Sequence, residues 1–395
     1  MSNNDFNKNL LGLQDVIIKN IEEKDDVINI NIKLEVKEHQ CPCCKTKTKY
    51  IHDYRNQIVK DIPIRGKKCN LILQKRRYIC KNCGKKFFEK NKFLPRYYQS
   101  TNRLSMWIIK QLGTYSFKAI AKQTGLSSYT VMRRFDMLSF HKPKLPTVLS
   151  IDEFKGNTAD EKYQVILTDP VNKKVLDILK SRTKYQLTQY FKRYTQEQRD
   201  SVEYFVCDMY SPYRDICETY FKNATLVTDK YHWLRQGIWA LDAVRVRIQK
   251  EFSKSHRIYF KHSKSILTKS EAKLEEEQRL QLSVMLGCSA DLSTAHFLKE
   301  DLYEILNDKN KERAEKNLRF WIQAAKESEI PEFKNAITAY TNWFDSIINS
   351  CGSNITNGYT EGCNNKIKVI KRNAYGYRDF ERFRKRILHA FACSA

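Results

Sequence analysis

The chain has 395 residues and a net charge of +26, with 41% hydrophobic and 12% aromatic residues. This composition excludes a disordered chain, and the length indicates two or three domains with a substantial core. The excess of Lys and Arg indicates a polyanionic partner, and nucleic acid fits better than an anionic membrane because no amphipathic basic anchor stands out. No apolar run reaches the roughly 20 residues of a membrane span and the N-terminus lacks a secretory signal, so we expect a cytoplasmic, nucleoid-associated protein without membrane contact.

Residues 1–95 form an N-terminal segment with strand signals. Val27–Leu34 alternates apolar and polar residues, which predicts a strand, and shorter alternating runs follow between residues 41 and 90. The sequence therefore predicts a small β-rich unit here.

Two C-x-x-C pairs lie in this segment. The gap of two residues lets one tight turn present both sulfurs, and four thiolates close a tetrahedral zinc site. The predicted zinc ligands are Cys41, Cys44, Cys80 and Cys83. Cys43 stays open as a substitute for Cys41, and coincidental buried thiols are the alternative to a metal site. With the surrounding Lys and Arg residues, the pattern indicates a structural zinc ribbon that contacts DNA.

Residues 96–145 have apolar residues at helical spacing. Gly125 separates two helical stretches, and Ser127 or Ser128 is suited to cap the second, which is the pattern of a helix-turn-helix. The residues predicted to meet the major groove and its phosphates are Tyr129, Thr130, Arg133 and Arg134. The alternative is an αα-hairpin inside a helical domain.

Residues 146–395 begin with alternating strands and helices. The order β-β-β-α-β-α-β over 147–232 predicts an α/β core with a mixed sheet. The predicted strands are Val148–Ile151, Tyr163–Thr168, Lys174–Leu179, Tyr204–Cys207 and Thr225–Thr228, and the predicted helices are Lys184–Gln198 and Tyr213–Phe221. Residues 233–347 show only helical patterns.

Asp152 and Asp208 each follow a short apolar strand. Ligands and metals bind at strand ends in such cores, and two aspartates there suit a pair of Mg²⁺ (or Mn²⁺) ions about 4 Å apart. A single aspartate in this place is more often a turn or a helix cap, and the interpretation depends on the pair.

A basic helix is predicted from about Thr360. Its face carries Glu361, Asn365, Lys368 and Arg372 at positions i, i+4, i+7 and i+11, so that a carboxylate for a metal precedes cations for phosphates. The predicted DNA contacts of this helix are Lys368, Lys371 and Arg372. The alternative is a solvated basic helix, and the aromatics that follow (Tyr375, Tyr377, Phe380 and Phe383) suit DNA or a core face equally.

Asp229 and His232 stand one helical turn apart. They are predicted to orient the ligands of the nearby metals, although a capped helix start explains this weak motif as well.

Together these motifs resemble the ISL-three (ISL3) family of bacterial insertion-sequence transposases over nearly the whole chain. The segments that carry the resemblance are the two C-x-x-C pairs, Ser150–Phe154, Asp208–Tyr213, Asp229–His232, Glu361–Lys368 and Lys371–Arg378.

The resemblance implies an RNase H-like core with the catalytic triad Asp152, Asp208 and Glu361 (a DDE triad) and an all-helical insertion at about 233–347. It implies binding to the terminal inverted repeats of the element and to target DNA, metal-dependent cleavage and strand transfer, and a homo-oligomer on DNA. The family usually has Arg-Phe where this chain has Lys230-Tyr231. A non-catalytic zinc-ribbon/helix-turn-helix regulator and a nuclease without strand transfer are the alternative functions.

Overall fold

The computed structural model describes residues 12–13, 16–156, 161–253, 256–353, 355–374 and 376–393. The chain divides into two compact units. One runs up to His141 and includes residues from Glu381 onward, and the other runs from Lys142 to Arg372 with residues 376–380. The predicted domains 1–95, 96–145 and 146–395 remain predictions beside this division.

The first unit begins with β-strands. They are β1 (Val16–Lys24), β2 (Val27–Leu34), β3 (His39–Gln40), β4 (Lys47–Thr48), β5 (Ile51–Ile64), β6 (Lys67–Ile79) and β7 (Lys86–Phe88). One sheet has the order β1-β2-β6-β5 with β7 on β6, and β3 pairs with β4. Strand β2 has the predicted bounds and buries every second residue, so that Ile30 and Ile32 join Leu71 and Leu73 in the core.

Three helices follow in the first unit: α1 (Asn102–Gln111), α2 (Phe117–Thr124) and α3 (Ser128–Asp136). Gly125 ends α2 in the left-handed conformation, with φ of 68°, and the Ser127 hydroxyl begins α3 by accepting from the backbone N–H of Thr130. The predicted helix–turn–helix geometry is therefore present, with Ser127 as the cap.

The second unit contains a five-stranded sheet. Its strands are β8 (Val148–Lys155), β9 (Tyr163–Asp169), β10 (Lys174–Leu179), β11 (Tyr204–Cys207) and β12 (Thr225–Thr228), in the order β10-β9-β8-β11-β12. Strand β9 is antiparallel to both of its neighbours, and β8, β11 and β12 run parallel. The prediction that β8 ends at Asp152 is wrong, because β8 pairs with β9 as far as Lys155.

The helices among these strands are α4 (Lys184–Phe191), α5 (Gln196–Asp200) and α6 (Ser211–Tyr220). The single helix predicted over Lys184–Gln198 is wrong. A capping box between Thr195 and Gln198 starts a new helix there, so the chain turns after Phe191.

Helices are the only regular elements among the described residues between β12 and residue 353, as predicted for 233–347. Its helices are α7 (Lys230–Glu251), α8 (Ser263–Thr268), α9 (Glu276–Gly287), α10 (Ala290–Asn307), α11 (Lys311–Glu327), α12 (Lys334–Asn342) and α13 (Phe344–Ser350), with 3₁₀ turns at His256–Phe260, Glu271–Lys273 and Pro331–Phe333. Trp233, Leu302, Trp321 and Tyr340 are buried in one apolar cluster that also includes the sheet residues Leu149 and Phe205. The insertion and the sheet therefore share a core.

Two helices complete the chain: α14 (Gly358–Asn373) and α15 (Phe380–Ala392). Within the first unit, α15 binds the end of α3 through Arg382, which donates to the Asp136 carboxylate at 2.7 and 2.9 Å. Tyr377, Phe380 and Phe383 are buried, which favours a packing role for these aromatics over DNA contact, and Tyr375 lies outside the described residues.

Among the described helices, none has the length and apolar character needed to cross a membrane.

Candidate functional site

Three aspartates lie at the same level of the second sheet. In the parallel register of β8, β11 and β12, Val148 pairs with Tyr204, and Tyr204 pairs with Thr225. Four residues further along each strand come Asp152, Asp208 and Asp229. Side chains at equal positions of in-register parallel strands point to the same face, so these carboxylates belong to one site.

Helix α14 brings Glu361 to this place. A cavity of about 610 Å³ is lined by Asp152, Glu153, Asp208, Tyr231, His232, Arg235, Glu361, Asn364, Asn365 and Lys368. One ligand atom from each of Asp229, His232 and Glu361 lies within 4.8 Å of the other two. The structure therefore brings the three predicted catalytic carboxylates to one cavity, and it places Glu361 in a cluster with the predicted supporting pair.

A buried hydroxyl network holds α14 against the sheet. The Thr360 hydroxyl lies 2.7 Å from that of Thr168 on β9 and 3.1 Å from that of Ser150 on β8, and Ser150 donates to the Asn357 side-chain oxygen at 2.5 Å. All four side chains are buried. We call Ser150, Thr168, Asn357 and Thr360 the hydroxyl network, and it fixes the residue that precedes Glu361.

Burial and mutual repulsion disfavour negative charge in this cavity. Burial, with the nearby Asp208 and Asp229, raises the pKa of Asp152 to about 7. Burial raises the pKa of Asp208 to about 6, with Glu153 contributing, and that of Asp229 to about 6, with Glu361 contributing. A bound cation relieves such crowding, because it favours the charged form of every carboxylate around it.

The donor set fits a divalent cation with a preference for oxygen. The Oδ2 atom of Asp229 is buried without a hydrogen-bond partner, and it lies 3.7 Å from Nε2 of His232. Carboxylates that share a cavity and keep free lone pairs are the ligands that Mg²⁺ and Mn²⁺ take.

His232 is neutral in this setting. Burial and the neighbouring Arg235 lower the pKa of His232 to about 4. Arg235 approaches Nδ1 to 3.2 Å and can only donate, so the ring proton stays on Nε2, the nitrogen that faces Asp229. His232 therefore offers a hydrogen-bond donor to that carboxylate.

Glu153 and Arg182 are site residues that the motif reading did not single out. One guanidinium nitrogen of Arg182 donates to both Glu153 oxygens at 2.7 and 2.8 Å, and the guanidinium stacks on the rings of Tyr163 and Tyr210. Glu153 lines the cavity. Its place directly after Asp152 was the available signal in the sequence. Arg182 lies 26 positions before Asp208, the nearest predicted catalytic residue, and no local pattern marks it.

The predicted phosphate contacts of α14 differ in exposure. Lys368 and Arg372 are exposed, and Lys368 lines the cavity. Lys371 is half-buried, and its ammonium donates to the backbone oxygen of Lys155 at 2.5 Å. Lys371 therefore holds the end of β8, which limits its part in binding DNA.

The four predicted zinc ligands meet in the first unit. The sulfurs of Cys41 and Cys83 are 3.5 Å apart, those of Cys44 and Cys80 are 3.4 Å apart, and all four lie within 4.8 Å of one another. A tetrahedral site with Zn–S bonds of 2.3 Å needs sulfur separations of about 3.8 Å. Cys43 is exposed and is not part of this cluster, so the choice of Cys41 agrees with the geometry.

Helix α3 presents only part of the predicted DNA-reading set. Tyr129 and Arg133 are exposed, and Thr130 is half-buried beside its cap. The prediction for Arg134 needs correction: its side chain is buried and donates to the hydroxyls of Ser100 and Ser105. Its guanidinium is used to hold the helical region together and does not face a groove.

Comparison with known families gives three matches in chain order. Residues 37–83 match a zinc-finger of transposase IS204/IS1001/IS1096/IS1165, residues 89–139 match the helix-turn-helix domain of transposase family ISL3, and residues 149–387 match the transposase domain of that family. The first match supports structural zinc at the four cysteines, and the first two indicate DNA binding.

Two individual proteins are similar to the chain. The transposase for insertion sequence element IS1001 of Bordetella parapertussis is 26% identical over 403 residues, which covers 98% of each chain. An ATP-dependent protease of Lactococcus lactis subsp. lactis is 38% identical over 60 residues, which covers 15% of this chain and 19% of that protein. The first similarity spans the cysteine pairs, the helix-turn-helix and the carboxylate cavity alike. Together with the match over residues 149–387, it shows that the chain belongs to the ISL3 family of insertion-sequence transposases.

Proposed function

We propose that this transposase cuts DNA at the ends of its element and joins the exposed 3′-hydroxyls to target DNA with two divalent metal ions held by Asp152, Asp208 and Glu361. The observation that carries the proposal is the meeting of these carboxylates in one cavity, two from in-register parallel strands and one from α14. Mg²⁺ or Mn²⁺ bound there would activate the attacking water or hydroxyl and stabilise the leaving oxygen.

The sheet supports an RNase H-like core. Its order is β10-β9-β8-β11-β12, its first three strands form a meander, and only β9 is antiparallel to the rest. In this arrangement the central strand β8 carries Asp152, its parallel neighbour carries Asp208, and a helix after the long insertion carries Glu361.

The surrounding residues have distinct parts in this proposal. Neutral His232 turns its Nε2 atom toward Asp229 from 3.7 Å, and it lies with that carboxylate beside Glu361, where the pair would support a bound cation. Lys368 and Arg372 extend from the cavity along α14, where their charges suit the phosphates on either side of the cut. Positioning and electrostatic stabilisation supply most of the catalysis in such phosphoryl transfers.

The first unit would bring the element's terminal inverted repeats to the core. Tyr129, Thr130 and Arg133 of α3 are the proposed major-groove residues, and the zinc ribbon adds backbone contacts. Two element ends must be processed together, so we also propose a homo-oligomer on DNA.

The test is Mg²⁺-dependent cleavage and joining of labelled DNA that carries the element's own ends. We expect Asp208→Ala to bind this DNA and neither cut nor join it, and the matched variant Asp345→Ala, at an exposed aspartate of α13, to act as the wild type does. Cleavage without joined products would favour a nuclease. Binding without reaction of the wild type in Mg²⁺ or Mn²⁺ would favour a DNA-binding regulator.

A further inference from the structure

Asn364 lines the carboxylate cavity and is buried there. It follows Glu361 by three residues on α14, so the two lie on the same side of the helix, and it is 7% exposed. Its side-chain N–H donates to Oδ2 of Asp152 at 2.8 Å. Asn364 therefore joins the helix that carries Glu361 directly to the aspartate on the central strand.

The orientation of the Asn364 amide follows from its partners. The same nitrogen also lies 3.4 Å from the backbone oxygen of Glu153, so it faces two acceptors. The flipped amide would set an oxygen against a carboxylate oxygen and a carbonyl oxygen, which is repulsive. The carbonyl oxygen of Asn364 must then point elsewhere, and it is buried without a hydrogen-bond partner.

A buried carbonyl oxygen without a donor has a free-energy cost unless a ligand or its water supplies one. Asn364 lines the same cavity as Asp152, Asp208 and Glu361. Mg²⁺ and Mn²⁺ keep some of their water when few carboxylates bind them, and such water is a strong donor. The unused acceptor of Asn364 thus matches a donor that a bound cation would bring.

We propose that Asn364 is a positioning residue of the metal site, which fixes the Asp152 carboxylate through its N–H and accepts from cation-bound water through its carbonyl oxygen. This inference rests on the proposed function, because it assumes a divalent cation between the carboxylates. Loss of such a supporting group lowers metal affinity by about 10- to 100-fold in other metal sites.

The test is Mn²⁺ binding to the full-length, zinc-loaded chain without DNA, followed by the electron paramagnetic resonance of free Mn²⁺. We expect Asn364→Ala and Asn364→Leu to bind Mn²⁺ at least 10-fold more weakly than the wild type and still to melt cooperatively in the absence of Mn²⁺. The Leu variant keeps the number and branching of the side-chain heavy atoms, so it fills the space that the Ala variant leaves empty.

A matched control is Asn349→Ala on α13. The Asn349 amide donates to the backbone oxygen of Leu226 at 3.0 Å and accepts from the Lys311 ammonium at 2.8 Å, and it does not line the cavity, so its loss removes hydrogen bonds without touching the cation. This variant should bind Mn²⁺ as the wild type does.

Asp208→Ala separates the two ways in which the idea can fail. Weak binding by Asp208→Ala together with wild-type binding by both Asn364 variants would overturn the role of Asn364 and leave the metal site standing. Wild-type Mn²⁺ binding by Asp208→Ala would overturn the proposed metal site itself, and the role of Asn364 with it.

Discussion

The hydroxyl network predicts a specific coupling between Thr168 and Thr360. Their hydroxyls are 2.7 Å apart and fully buried, while Thr360 also reaches Ser150 at 3.1 Å. Thr360→Val leaves the Thr168 hydroxyl without this partner, and an unsatisfied buried hydroxyl costs about 1–3 kcal/mol. Thr168→Val should lower the free energy of unfolding by about 1 kcal/mol, at the lower end of this range, because the Thr360 hydroxyl keeps its hydrogen bond to Ser150.

Valine has the shape of threonine without its hydroxyl. When both partners become apolar, neither is left unsatisfied, so we expect the double variant to lose at least about 1 kcal/mol less than the sum of the single variants. Urea unfolding followed by tryptophan fluorescence reports mainly on the second unit, which contains the hydroxyl network, since four of the five tryptophans lie in that unit. Thr338→Val is the matched control, because this exposed hydroxyl donates only within its own helix, and it should change the free energy of unfolding by less than about 0.5 kcal/mol.

The reasoning would be refuted by additive losses. If the double variant is destabilised by the sum of the single variants to within about 0.5 kcal/mol, the two hydroxyls act independently and do not hold α14 to β9 as a pair.

Other predictions concern the first unit and the insertion. Cys80→Ser should release zinc, and Cys43→Ser should retain one zinc ion per chain, as measured by metal analysis of the purified variants. Arg133→Ala should weaken DNA binding and reduce the slope of log K against log salt by about 0.9. Arg134→Ala should instead destabilise the fold by about 2 kcal/mol in urea unfolding, and equal effects of the two variants on DNA affinity alone would contradict the assignment. Burial lowers the pKa of His296 to about 4, below its unfolded value of about 6.5. The contribution of neutral His296 to the free energy of unfolding is therefore fully present above pH 6.5 and is lost as the pH falls toward 4. We therefore expect His296→Gln to remove about 2 kcal/mol of the stability lost between pH 7 and pH 5, and an unchanged pH dependence would contradict this.

The features that sequence predicted well depend on neighbouring residues. Strand β10 has the predicted bounds because its alternation and its preceding turn are local, and the cap and the glycine of the helix-turn-helix are local too. The four zinc ligands were predictable because a C-x-x-C pair has almost one geometry when it binds zinc.

The errors concern features that depend on distant residues. Asp152 was placed at a strand end, but β9 extends β8 by pairing with it, and a strand's length depends on its partner. Arg134 has the exposure pattern of a DNA contact in its own helix, and only packing against α1 and the segment before it buries the guanidinium. The equal level of Asp229 with Asp152 and Asp208, the two predicted catalytic aspartates, follows from strand register, which sequence alone does not give.

The place of the insertion explains how Glu361 reaches the site from a distant part of the chain. The insertion leaves the sheet at Lys230, directly after β12, and it returns beside the same strand, where the Ser346 hydroxyl lies 2.7 Å from that of Thr228. Lys230 also donates to the backbone oxygen of Ser353 at 3.1 Å, so the two ends of the insertion are tied together. Because both ends are fixed at β12, the number of residues between them has little effect on where α14 begins. The position of Glu361 is then determined by the few contacts of α14 with β8 and β9, which is why we expect single hydroxyl and amide groups in those contacts to matter more than changes within the insertion.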